Sequence, residues 1–126
     1  MNYPKLPSFR LDGKNALVTG AGRGIGMGAS IALAESGANV TLVSRTDSEL
    51  KELTKHINSL GYKSSYVAID VNDEKAISKL IEDSDPFDIL INNAGTNKPA
   101  KLIDTDLNDF DYVMSLNVRS VINLTK

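Results

Sequence analysis

The segment Thr19-Gly20-Ala21-Gly22-Arg23-Gly24-Ile25-Gly26 constrains the fold of this chain more than any other. It follows the apolar run Ala16-Leu17-Val18-Thr19, which reads as a β-strand. It precedes a helical stretch with Ala29, Ala32 and Leu33 on one face. Glycines here permit a tight turn from strand to helix and leave the backbone open to close approach. Gly20, Gly24 and Gly26 carry that turn, and Gly37 is placed to end the helix in a left-handed conformation.

The alternation of apolar runs and amphipathic stretches continues along the chain. Residues 39–43 read as a second strand. Thr46-Asp47-Ser48-Glu49 fits a capping box ahead of a helix buried through Leu50, Leu53, Ile57 and Leu60, with Gly61 closing it. A third strand is expected over 65–69 and a short helix over 73–82, buried through Ile77, Leu80 and Ile81. A fourth strand over 88–92 is apolar on both faces, as in a strand covered on both sides. A last helix starts near Thr105 and carries Leu107, Phe110, Met114, Val121 and Leu124 on one stripe. Strands alternating with helices, joined by right-handed crossovers, predict an α/β fold with a parallel sheet in the order 3-2-1-4. That order is the first half of a doubly wound sheet. At 126 residues the chain has room for one core, so residues 1–126 read as a single domain.

Composition narrows the function classes. The net charge of −2, without a basic stripe or basic amphipathic helix, argues against nucleic acid or a membrane surface as partner. There is no cysteine, and His56 is the only histidine, so thiolate chemistry and an ordinary zinc site are both excluded. His56 itself reads as a solvated helix position. Residues 1–10 hold Pro4 and Pro7 and no apolar run, which fits neither a signal peptide nor an anchor and leads to a cytoplasmic expectation.

A glycine turn feeding a helix N-terminus offers backbone N–H donors and a favourable dipole to a dinucleotide pyrophosphate. The run from Thr19 to Gly26, followed by Asn92-Asn93-Ala94-Gly95, strongly resembles the short-chain dehydrogenase/reductase family. The resemblance extends from Leu11-Asp12-Gly13-Lys14 through Asp70-Val71 to Asn117 and covers nearly the whole chain. It implies a Rossmann-type fold and a cofactor-binding set of Gly20, Arg23, Gly24, Ile25, Gly26, Ser44, Arg45, Thr46, Asp70, Val71, Asn93, Ala94 and Gly95. Within that set Asp70 and Val71 would hold the adenine ring, and residues 93–95 would line the adenosine ribose. NAD enzymes place an acid after the second strand to accept from the ribose 2′-hydroxyl. Here the chain reads Val43-Ser44-Arg45-Thr46, with no acid at that position. Arg45 and Arg23 suit a 2′-phosphate instead, so NADP(H) is expected over NAD(H).

Asn117 falls on the apolar stripe of the last helix, where a polar amide needs buried partners or water. The resemblance implies that it fixes an irregularity of that helix and joins a water-linked proton relay, the one part of the catalytic machinery within these residues. The family's acid/base pair is Tyr-x-x-x-Lys, in which the lysine lowers the tyrosine pKa. Tyr3, Tyr62, Tyr66 and Tyr112 are followed at that spacing by Pro7, Tyr66, Asp70 and Leu116, so none fits. The resemblance therefore implies the cofactor-binding half of a longer single domain, inactive alone. An apolar fourth strand left at a sheet edge points the same way.

Two function classes stay open. The first is an NADP(H)-dependent oxidoreductase that passes a hydride between nicotinamide and a carbonyl or secondary alcohol. The other is a non-catalytic dinucleotide-binding or regulatory protein. The first implies a small-molecule substrate. The polar loop Thr96-Asn97-Lys98-Pro99 at the substrate mouth suits a hydroxylated or acidic one such as a sugar acid. The resemblance also implies a homo-oligomer packed through the last helix.

Overall fold

The computed structural model describes all of residues 1–126. Four strands form one parallel sheet: β1 (Asn15–Thr19), β2 (Asn39–Ser44), β3 (Lys63–Ala68) and β4 (Ile89–Ile91), in the order β3-β2-β1-β4. This is the expected 3-2-1-4 arrangement of a Rossmann-type fold. The register sets Ala16 beside Val40 and Leu17 beside Leu90, so β1 is central and β4 lies at an edge.

Side chains alternate across the sheet and build a core on each face. On one face Ala16, Val18, Val40 and Leu42 pack against α1 (Gly24–Glu35) and α2 (Asp47–Ser59) through Ala34, Leu50, Leu53 and Ile57. On the other, Leu17 and Val43 meet Val71, Leu116 and, from α3 (Glu74–Asp83), Ile77 and Leu80. Each fully buried Leu or Val contributes about 1.5–3 kcal/mol of transfer free energy. The helices therefore fix the strand ends that carry the loops above them.

Several local expectations are corrected. On α1 the buried residues are Gly26, Ser30 and Ala34, whereas Ala32 is exposed and Ala29 and Leu33 are only partly covered. Small residues let this helix lie close on the sheet, and the Ser30 hydroxyl, donating to the Gly26 carbonyl at 2.7 Å, satisfies itself within the helix. The capping box at the start of α2 does not form. Thr46 occupies the N-cap without a side-chain bond, and its own N–H donates to Ser44 Oγ at 3.3 Å. Leu60 and Ile81 are exposed rather than part of the buried stripes. In α3 the cap is Asp73, whose Oδ1 accepts from the Ala76 N–H at 3.0 Å. The fourth strand is three residues long, and each is partly exposed rather than covered on both sides.

The last helix is broken into pieces. A short 3-10 turn (Leu102–Asp104) leads to α4 (Leu107–Met114), a π-turn (Ser115–Arg119) and α5 (Ser120–Thr125). Leu107, Phe110 and Met114 face outward, while Leu116 and Ser120 are buried and Tyr112 and Leu124 are packed at the margin of the core. The expected single stripe fails because the π-turn changes the helical phase partway along. No helix of the chain is long and apolar enough to cross a membrane.

Candidate functional site

In open α/β sheets the crevice opens at the carboxyl ends of strands where the chain changes direction across the sheet. Here that point lies between β1 and β4. A cleft of about 390 Å³ opens there, lined by the loop after β1, the ends of β2 and β3, and residues 93–95 after β4. It gathers twelve of the thirteen residues expected at the cofactor: Gly20, Arg23, Gly24, Ile25, Ser44, Arg45, Thr46, Asp70, Val71, Asn93, Ala94 and Gly95. The thirteenth, Gly26, is buried beneath it.

The glycines are required for three different reasons. Gly20 has φ +62°, and a Cβ there would come within 2.8 Å of Asn93 Nδ2. At Gly26 a Cβ would collide with the Gly20 carbonyl. Gly24, with φ +56°, has only open space where a Cβ would stand, so the backbone at the start of α1 is accessible from the cleft. Arg23 at the N-cap makes no side-chain cap bond and the first turn holds no acid. The N-terminal N–H groups and the helix dipole are thus free to receive an anion. Backbone, space and dipole all fit a dinucleotide pyrophosphate.

The two halves of the cleft are tied by side chains. Thr19 Oγ1 accepts from the N–H groups of Asn93 at 3.1 Å and Ala94 at 3.0 Å. Asn93 Nδ2 returns to the carbonyls of Thr19 at 3.2 Å and Gly20 at 3.1 Å. Asp70 forms an Asx turn, its Oδ1 accepting from the Asn72 N–H at 2.9 Å. Val71 beside it is buried and belongs to the second core.

At the end of β2, Arg45 Nη1 donates to the Tyr112 hydroxyl at 3.1 Å. Neither Arg45 nor Arg23 has a carboxylate partner, since the four ion pairs of the chain lie elsewhere. Glu49 is an addition that the sequence does not predict. Its side chain leaves the N-terminus of α2 and reaches the cleft, with Oε2 2.7 Å from where a Gly22 Cβ would be. Gly22, from the glycine run, also lines the cleft, as do Ile69 and Leu116, which no local sequence pattern marks for it. The spacing of Glu49 reads as a capping residue, and only the tertiary fold shows which way it turns.

Asn117 sits at the centre of the π-turn, exposed rather than within the apolar stripe. Its amide clamps one residue of the loop after β4 from both sides: Oδ1 accepts from the Thr96 N–H at 2.8 Å and Nδ2 donates to the Thr96 carbonyl at 2.7 Å. In the same loop Lys98 pairs with Asp109 at 2.6 Å, and its ammonium lies 4.9 Å from the Tyr112 ring centroid. The hydrogen bond to Asp109 is the main influence holding Lys98 above its usual pKa. His56 is exposed in the last turn of α2, on a different part of the chain from the cleft lining.

Fold and cleft together define a Rossmann-type α/β protein whose crevice opens at the carboxyl ends of its strands. Residues 14–126 match the short chain dehydrogenase family model, and the chain belongs to that family. It is 40% identical over 125 residues to a gluconate 5-dehydrogenase of Gluconobacter oxydans (strain 621H), covering 96% of this chain and 48% of that protein. A crystal structure of a gluconate 5-dehydrogenase from Burkholderia cenocepacia J2315 in complex with NADP and tartrate is 33% identical with TM-score 0.83, covering 94% of this chain and 48% of that one. L-Sorbose reductase from Gluconobacter frateurii, complexed with NADPH and L-sorbose, is 26% identical with TM-score 0.86, covering 94% and 47%. The chain spans about half the length of the curated relatives it matches.

Proposed function

We propose that this chain forms the cofactor-binding part of an NADP(H)-dependent oxidoreductase acting on a carbonyl or secondary alcohol. The observation that carries this reading is Arg45 at the end of β2, lining the cleft with no carboxylate to neutralise it. Arg23, which also lines the cleft, supports it. Bound in the cleft, the nicotinamide dinucleotide would donate or accept the hydride. The chain's own part is to hold and orient. Gly20, Gly24, Ile25 and Gly26 shape the pyrophosphate cradle, with Arg23, Ser44, Arg45 and Thr46 at the 2′-phosphate. Asp70 and Val71 take the adenine, and Asn93, Ala94 and Gly95 the ribose. Asn117 holds the loop after β4 and joins the path by which a proton leaves or reaches the substrate.

A polyhydroxylated substrate of the sugar-acid class is supported by the gluconate 5-dehydrogenase similarity and the polar loop from Thr96. The outward-facing Met114, Val118 and Ile122 support a homo-oligomer. A cytoplasmic location completes the reading. NAD(H) is the second reading, resting on Glu49, whose carboxylate in the same cleft suits a ribose hydroxyl.

Replacing Arg45 with Asp in the intact protein separates the two. Losing a charge-assisted pair worth about 1.5–3 kcal/mol lowers the NADPH-to-NADH ratio of kcat/KM by roughly ten- to a hundredfold. An unchanged ratio refutes the NADP(H) reading, and a Glu49→Gln variant that selectively loses NADH favours the second.

A further inference from the structure

Resting on the NADP(H) reading, we propose that Tyr112 is a positioning residue for cofactor choice, holding the Arg45 guanidinium toward the cleft. Arg45 is an exposed side chain with many rotamers, and the residues beside it in sequence do not fix it. Its one side-chain bond comes from far along the chain, from Nη1 to the Tyr112 hydroxyl at 3.1 Å. A guanidinium carries five N–H donors, so this bond leaves most of them for a phosphate. Arg45 lines the cleft while making it, which means the tyrosine orients the arginine rather than withdrawing it.

The tyrosine can do this because it is itself held. Its ring packs at the edge of the second core, the cluster that holds Val43, Val71 and Leu116. The Lys98 ammonium lies 4.9 Å from the ring centroid, and Asp109 pins that lysine at 2.6 Å. Two cations thus bracket one phenol. Asp109 balances the charge of Lys98, and the charge of Arg45 stays available. The arrangement also joins the loop after β4 to the 2′ end of the cleft through a single side chain.

The test uses Tyr112→Phe, Arg45→Ala and the double variant of the intact protein, with dissociation constants for NADPH and NADH by calorimetric titration. Phenylalanine keeps the packing and the ring under Lys98 and removes only the hydroxyl. Tyr112→Phe is expected to weaken NADPH about three- to tenfold, leave NADH unchanged, and add nothing once Arg45 is Ala. Equal weakening of both dinucleotides, or a further loss in the Arg45→Ala background, assigns Tyr112 a merely structural role and overturns the proposal. Unchanged or tighter NADPH binding overturns it as well. If Arg45→Ala lowers NADPH affinity and Tyr112→Phe does not, the positioning role fails alone. If Arg45→Ala leaves the NADPH-to-NADH ratio unchanged, the NADP(H) reading fails and takes the role of Tyr112 with it.

Discussion

Replacing Thr19 by Val removes one oxygen atom and tests how the cleft is held open. The two side chains have nearly the same shape, and Thr19 is buried, so the core above and below is left intact. What changes is that the Ala94 N–H, now 3.0 Å from Thr19 Oγ1, loses its acceptor, whereas the Asn93 N–H, 3.1 Å from the same oxygen, keeps the Ile91 carbonyl at 3.1 Å. An orphaned buried donor costs about 1–3 kcal/mol, and partial burial puts the Ala94 N–H in the lower half of that range. The loss is about 1–2 kcal/mol, a noticeable share of the roughly 5–15 kcal/mol by which a domain is stable. Thr19→Ser keeps the oxygen and gives up one methyl, a loss of about 0.8 kcal/mol. Urea unfolding of the intact protein, followed by circular dichroism with the slope checked for constancy, gives both values. Valine should therefore be worse than serine, and dinucleotide binding should fall with it. A valine variant as stable as the parent, or a serine variant less stable than valine, would show that the hydroxyl is not what ties the two loops.

Gly24→Ala forces a side chain into φ +56° without any steric neighbour, so it should cost about 1–2 kcal/mol of stability by denaturant titration while leaving the core packed. Gly24→Val adds a branched side chain in the open space before α1 and is expected to abolish dinucleotide binding in calorimetry. Asn117→Ala should lower kcat at least about tenfold with little change in KM for the dinucleotide, measured by steady-state kinetics. Because its bonds to Thr96 are exposed, stability should hardly move. Residues 1–126 by themselves, assayed for NADPH oxidation against a panel of keto substrates, should show no turnover. Clear activity free of contaminating enzyme would place the acid/base chemistry within them.

The parts of the fold legible in the sequence are those set by strong local physics. Apolar runs of strand length and a glycine turn between strand and helix determine the sheet, its order and the position of the cleft. Arg23 and Arg45 are legible because they stand in or beside the turns at the carboxyl ends of strands, and Asp70 is legible through the family resemblance. Glu49 is not, because a capping box and a cleft-lining acid share one local pattern and only the neighbouring glycine loop decides between them. The buried face of α1 is obscured for a related reason. Periodicity weighs hydrophobicity, whereas close packing on the sheet selects Gly26, Ser30 and Ala34 for size. In the last helix the difficulty is phase. An extra residue in the turn at Ser115–Arg119 rotates α5 by about 100° relative to α4, so one stripe cannot describe both sides of it.

The bonds between Thr19, Gly20, Asn93 and Ala94 span separations of 73 to 75 residues. Contacts so distant in sequence form only after a long loop has been closed, and they govern slow steps in folding. The pairs β1–β2 and β2–β3 join nearer neighbours, so loop closure favours their forming first. A chain that has paired only those three strands has its glycine turn but no opposite wall. Dinucleotide affinity is therefore expected to arise only once β4 docks, and its appearance in time would mark that step.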